Sequence, residues 1–420
     1  LSTIQNDLTI SPFADFILKN AKSIYKIFDD AWDSAPVNET LKAHYTIGEN
    51  ETDYYVARNF IDNILFKTYL FYPDTSLMLR DNELEIIDYS KSNDNSDQIV
   101  QFLNAQRDEN LHRFHTKLLA LSGKEWAVKI LGDAHPMHTH FAEMSKKIDG
   151  HFFYKGQDEQ NVFLEHIASG RQFNLTKKSF SDTSIFKTIG SVFYIGIVQW
   201  RSEWWFSGIY FPIGYDSKLV QEEKKSILSK QSVSFLDHQK LDVSDILNKQ
   251  FTAFKMLTDG EQIAFLESNR MNEFIEQFSE IYNRSLKLSK RPKDKKRERF
   301  SREGLFGQKT KVADLSEMPE NAAVFFNPKS GIEFALDCNS AFPLPHNPFF
   351  DIERSDEDVL DLIFSEQIST EFVMFCFDNF KNKLPFFNKP ENQFYLTDTD
   401  FILRFSKNAN YFTTPQISFV

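Results

Sequence analysis

Residues 191–213 run Ser191-Val192-Phe193-Tyr194-Ile195-Gly196-Ile197-Val198-Gln199-Trp200-Arg201-Ser202-Glu203-Trp204-Trp205-Phe206-Ser207-Gly208-Ile209-Tyr210-Phe211-Pro212-Ile213. Two β-branched and aromatic runs flank the polar break Arg201-Ser202-Glu203, which is the pattern of a hairpin. Side chains alternate between the faces of a strand. One face of the first run carries Val192, Tyr194, Val198 and Trp200, and the other carries Phe193, Ile195 and Ile197. Both faces are apolar, so both must be covered. That requirement predicts a small closed or nearly closed β-barrel packed on helices.

The flanks agree. Phe152–Tyr154, Val162–Ala168 and Gln172–Leu175 are further strand candidates, with a tight turn at Ser169-Gly170-Arg171. Upstream, Ser11-Pro12 is a helix start, and apolar residues recur at helical spacing over 54–72, 98–121 and 125–131. Downstream of Asp216 the helical period returns over 241–257 and 261–288. Ala322–Phe326 and Ile332–Leu336 flank a hairpin turn at Asn327–Gly331. Ser355 is placed to cap an acidic helix, and further helices are expected from Thr370 to Lys381 and from Thr399 to Phe405, with a strand at Gln416–Val420. The expected fold class is α+β and multidomain. Its parts are a helical N-terminal domain at 1–148, a small β-barrel-like middle domain at 149–215 and a helical connector at 216–286. A basic linker at 287–311 leads into an acidic α/β C-terminal unit at 312–420.

Composition narrows the function classes. The 420 residues carry 48 Lys+Arg and 60 Asp+Glu, a formal net charge of −12. With 44 phenylalanines the chain can fill several cores, which excludes disorder throughout. Cys338 and Cys376 are too few for a disulfide framework or a cysteine zinc site, and are expected to be buried thiols. No basic-then-apolar leader opens the chain, and the longest uncharged apolar stretch, 189–200, falls far short of the ~20 residues that span a bilayer. A soluble, cytoplasmic bacterial protein with no membrane contact is expected. Residues 287–311 hold eleven basic and three acidic side chains, a surplus of eight, which leaves −20 for the rest. This is the strongest charge asymmetry in the chain.

Candidate chemistry is sparse. Five of the ten histidines lie between 112 and 140. His112 and His115 are three apart in an expected helix, and His135, His138 and His140 follow, with Asp133 and Glu143 as neighbouring oxygen donors. Such a set offers a nitrogen/oxygen metal site, although its spacing is not that of His-Glu-x-x-His. Gly304 to Thr310 has the wrong spacing for a phosphate loop, and no Gly-x-Ser-x-Gly elbow occurs. Trp200, Trp204 and Trp205 cluster beside Arg201, and aromatics next to arginine stack single-stranded nucleic acid. By alternation Trp204 shares a face with Phe206 and Tyr210, and Trp205 with Ile209, Phe211 and Ile213. The second, more aliphatic set assigns Trp205 to the barrel interior and Trp204 to the outer face.

Val162–Phe173, Gly190-Ser191-Val192, Val198-Gln199-Trp200 and Glu203–Gly208 together resemble a small β-module of uncharacterised bacterial proteins. Some of those proteins carry a C-terminal SEC-C zinc motif, which is absent here. The resemblance covers residues ~160–210 and implies no activity.

The leading expectation is an intracellular binding or accessory protein without a cofactor, whose partner is nucleic acid or another protein. Lys293, Lys295, Lys296, Arg297 and Arg299, with Arg201 and Trp204, are the nucleic-acid-binding candidates. The alternative is a metal-dependent hydrolase using His112, His115, His135, His138 and His140.

Overall fold

A computed structural model describes residues 39–67, 96–226, 229–230, 232–236, 243–288 and 320–411, together with Lys19, Lys22, Lys26, Leu84 and Asp88. The expected helix start at Ser11-Pro12, the end of the 54–72 run, most of the basic stretch and the expected strand at 416–420 lie outside the described residues. The protein is α+β, with two compact units, one within Ser34–Lys240 and one within Leu241–Val420.

In the first unit, helix α1 (Tyr54–Asp62) starts where the Asp53 carboxylate accepts from the Tyr55 N–H at 2.7 Å, and it continues as a π-helical turn over Asn63–Lys67. Helix α2 covers Ser96–Arg113, α3 Gly123–Leu131 and α4 His138–Glu143. The run expected as one helix to Leu121 therefore stops at Arg113. Leu119 and Ala120 adopt positive φ, and the chain folds back so that Thr116 N–H donates to the Leu121 carbonyl at 3.0 Å. The Trp126 indole N–H then closes on the Thr116 hydroxyl at 2.8 Å. Side-chain bonds of this kind outcompete one more helical turn.

Five strands follow: β1 (Ile148–Gln157), β2 (Asn161–His166), β3 (Gln172–Thr176), β4 (Val192–Trp200) and β5 (Glu203–Ile213). They close a barrel in the order β1-β2-β3-β5-β4, antiparallel except where β3 meets β5, and helix α5 (Ser217–Lys225) follows. Phe193, Ile195 and Ile197 face the interior with Phe152, Leu164, Phe173 and Leu175. Trp200 points out and is buried against Phe141 of α4, with ring centroids 5.2 Å apart. Both hairpin faces are thus covered, as the doubly apolar pattern requires.

Alternation along β5 holds, but its faces are exchanged relative to expectation. Trp204 and Phe206 pack with the interior set, and Trp204 lies edge-on to Phe173 at 4.9 Å. Trp205 points out and is only 2% exposed, because Tyr54 and Tyr55 of α1 cover it, each with its ring centroid 6.1 Å away. An apolar set marks the interior only when the other face meets water, and here the helices cover that face too.

In the second unit, strands β6 (Ile263–Glu267), β7 (Asn321–Asn327) and β8 (Gly331–Leu336) form an antiparallel sheet with β7 in the middle. Ala322, Val324 and Phe326 face helices α6 (Val243–Leu257) and α7 (Met271–Leu288). Ala323 and Phe325 face α8 (Ser355–Phe364) and α9 (Thr370–Phe380). The 261–288 run, expected as one helix, is β6 followed by α7. A short apolar run does not separate strand from buried helix by period alone, and pairing with β7 decides it. Ser355 is the first residue of α8 and donates its hydroxyl to the Ile352 carbonyl at 2.8 Å instead of capping the helix from outside.

The β4–β5 turn carries strain. Trp200 pairs with Glu203, and both linking residues, Arg201 and Ser202, have positive φ of 45° and 70°. Tight hairpins want this left-handed backbone, which non-glycine residues adopt at a cost of about 1–2 kcal/mol each. The Arg201 guanidinium holds the turn by donating to the Glu51 carbonyl at 2.9 Å. Replacing Ser202 with Gly should therefore stabilise this unit by roughly 1 kcal/mol. Urea melts check this, and a destabilised variant would refute the strain reading.

Candidate functional site

The titratable groups of the first unit concentrate where α1 and α2 meet the barrel. Helical spacing puts Asp108 and His112 on one face of α2, and Lys147 enters just before β1. The Lys147 ammonium lies 2.7 Å from the Asp108 carboxylate, 3.0 Å from Asp149 and 3.7 Å from Glu109. Arg58 of α1 donates to the other Asp108 oxygen at 3.1 Å, and the Tyr54 hydroxyl is hydrogen-bonded to His112 Nε2 at 2.9 Å. Arg113 reaches Asp149 at 3.1 Å.

Electrostatics follow from burial and pairing. Burial alone would raise the Asp108 carboxyl, but Lys147, His112 and Arg58 hold it below its usual range. Burial would lower Lys147, yet Asp108 and Asp149 keep it above its usual value. Asp149 is pushed up by burial. Burial lowers His112 to about 4, so its ring is neutral at pH 7, and burial followed by the Asp108 charge drives the Tyr54 phenol well up. Asp108 is 0% and Lys147 7% exposed. Asp108 and Lys147 are closed to water, and pairing there fixes a single docking of helices and barrel. They tie two helices to the barrel wall.

Room for this network comes from small residues. A Cβ at Gly196 of β4 would stand 2.4 Å from Ser207 Oγ and 2.7 Å from Lys147 Cε. Glycine inside a strand marks such close approaches. Glycine within the β4 run was the one sequence signal for this place. Asp108, Lys147 and Arg58 carried none, since single charges in helical or polar stretches read as surface.

The histidines go to separate partners. His112 sits in the network. His115, beyond the end of α2, bridges Ser122 through the backbone. His135 Nδ1 accepts from the Met137 N–H at 3.1 Å, His138 lies 3.2 Å from Asp133, and the His140 ring stands 6.2 Å from Trp200. The shared helix that would have aimed His112 and His115 at one point ends between them. Among the described residues no group of three or more His, Cys, Asp or Glu side chains is gathered to hold a metal ion. Cys338 and Cys376 are buried, and burial pushes both thiols well up. Arg201 is engaged with Glu51, and Trp204 lines the barrel. Lys293, Lys295, Lys296, Arg297 and Arg299 lie outside the described residues. No helix among the described residues is long and apolar enough to cross a membrane.

Residues 2–165 match the model of a family described as a protein of unknown function (DUF3843). No curated protein and no solved structure matches the chain.

Two outcomes follow from the network. Lys147→Met strands Asp108 and should cost about 3–5 kcal/mol, whereas Glu109→Gln at the exposed rim should cost under about 1. Four of the five tryptophans, Trp126, Trp200, Trp204 and Trp205, lie in this unit, so tryptophan fluorescence in urea reports chiefly on it. A loss below about 1 kcal/mol for Lys147→Met would remove the network from its structural role. The second outcome concerns pH. An unfolded histidine takes up a proton below about 6.5, while folded His112 stays neutral down to about 4. The unfolded state binds more protons in that window, so stability falls as pH falls through it. The stability gap between the parent and His112→Gln should therefore narrow from pH 7 to about 4.5. A constant gap would show that His112 is not held neutral.

Proposed function

We propose that this chain is a binding protein that engages single-stranded nucleic acid, with residues 287–311 as its electrostatic contact. The observation that carries the reading is the surplus of eight positive charges in that segment, in a chain whose net charge is −12. A generally acidic protein with one dense basic stretch directs polyanions to that stretch, because phosphate binding there releases counterions.

The barrel supports the same reading. A closed five-stranded order β1-β2-β3-β5-β4 with β3 parallel to β5 is the order of the OB-type barrel, a Greek-key scaffold many of whose members bind oligonucleotides. The segment 160–210, which resembles a β-module of uncharacterised bacterial proteins, holds β2 to β4 and the start of β5. In OB-type barrels the face of strands 2 and 3 and the loops between strands 1 and 2 and between strands 4 and 5 meet the ligand. Here the 4–5 loop is Arg201-Ser202, beside Trp204. Phe163 of β2 stands on the outer face opposite Asn174 of β3. It is half-buried, which leaves part of its ring for a base to stack on.

Fluorescence anisotropy with a labelled single-stranded oligonucleotide tests the proposal. Binding should weaken steeply with salt. Neutralising Lys293, Lys295, Lys296, Arg297 and Arg299 to Gln should make the slope of log K against log salt shallower by about three to four. Phe163→Ala should weaken binding by about 1–3 kcal/mol without changing that slope. No binding at low salt, or an unchanged slope in the five-fold variant, would sink the proposal.

A further inference from the structure

We propose that the second unit carries a binding site for a small organic phosphate with a flat ring, in a cleft between the start of the sheet and the end of α9. This site is independent of residues 287–311 and of the barrel.

The cleft has a volume of about 400 Å³. That lies within the roughly 300–1,000 Å³ typical of small-molecule sites. Its apolar lining is Phe251 of α6, Leu344, and Phe375 and Phe380 of α9. Phe380 is buried, and the other three are half-buried, so apolar surface is left facing the opening. Rings in such a wall favour a flat aromatic guest, by edge or offset contact.

Two cations stand over this wall. The Lys255 ammonium is 4.3 Å from the Phe251 ring centroid, and the Lys383 ammonium is 5.5 Å from that of Phe380. Both lysines line the cleft and are exposed, and among the described residues neither pairs with a carboxylate. Across residues 312–420, which include Lys383, seventeen acidic side chains outnumber seven basic ones, so that unpaired ammonium runs against the local charge. Glu261 is the single carboxylate of the lining, which leaves the cleft with one positive charge in surplus.

The chemistry of the guest follows. Its anionic group complements the two ammoniums of the lining, and a phosphate offers several acceptor oxygens to them. Its body must be flat and apolar to cover Phe375 and Leu344. A bare anion uses the cations and leaves the rings wet, and a neutral arene does the reverse.

Isothermal titration of the full chain with phenyl phosphate tests the site. Saturable binding is expected, weakened about tenfold by Lys255→Gln and again by Lys383→Gln. Both lysines are exposed, so these variants keep the parent's melting temperature. Inorganic phosphate should bind about tenfold more weakly than phenyl phosphate. The variant with Lys293, Lys295, Lys296, Arg297 and Arg299 neutralised should bind phenyl phosphate like the parent, which separates this site from the nucleic-acid reading. Absence of saturable binding, affinity unchanged in the double lysine variant, equal affinity for inorganic phosphate, or loss on neutralising the basic segment would each overturn the assignment.

Discussion

One buried ion pair organises the first unit. Asp108 and Lys147 meet at 2.7 Å with almost no exposure. Removing two charges from water costs several kcal/mol per ion, which only close pairing and further hydrogen bonds offset. That condition is demanding, and the surroundings satisfy it from two sides: Arg58 of α1 pairs with Asp108 at 3.1 Å and Asp149 of β1 with Lys147 at 3.0 Å. An alternative docking of these helices would strand at least one of the charges. The pair therefore selects a single arrangement more than it adds net stability, and the apolar contacts of Trp200 and Trp205 supply the cohesion.

The second unit uses the same device more sparingly. Glu333 of β8 accepts from the Ser369 N–H and hydroxyl, each at 2.6 Å, and so anchors the start of α9 to the sheet. Burial raises this carboxyl, and the Ser369 and Asn327 hydrogen bonds oppose the rise. Lys407 is 1% exposed and donates to the Leu362 and Ser365 carbonyls at the C-terminus of α8. Burial lowers its ammonium to about 8. Helix ends leave carbonyls without partners, and a buried cation there meets both that need and the negative end of the helix. In both units the buried charges tie a helix to the element packed against it, while the unpaired lysines of the α6–α9 cleft remain for a partner in solution.

Local signals were legible wherever a local rule suffices. The doubly apolar run at 192–200 demanded a covered strand on both faces, and the barrel and α4 cover it. Asn327 to Gly331 declared a hairpin, and the two residues pair across it, with φ of 92° at Gly331. Thr370 began a helix, capped by Ser369. Period failed where competing structure has the same composition. Ile263, Phe265 and Leu266 fit a helix face, yet β7 supplied hydrogen bonds that only an extended chain could accept.

The sequence by itself determined the class of the fold, the hairpin turns and the charge asymmetry, because these depend on the order of residues along the chain. Tertiary structure alone decided which face of β5 is interior, which histidines have company and which charges are buried. Trp204 and Trp205 differ by one position and by nothing in composition. Their roles were set by whether Tyr54 and Tyr55, some 150 residues away, pack outside the strand. Asp108 and Lys147 are likewise unremarkable in the sequence. Only folding brings them together, and only the removal of water around them turns an ordinary pair of charges into the constraint that positions two helices against a barrel.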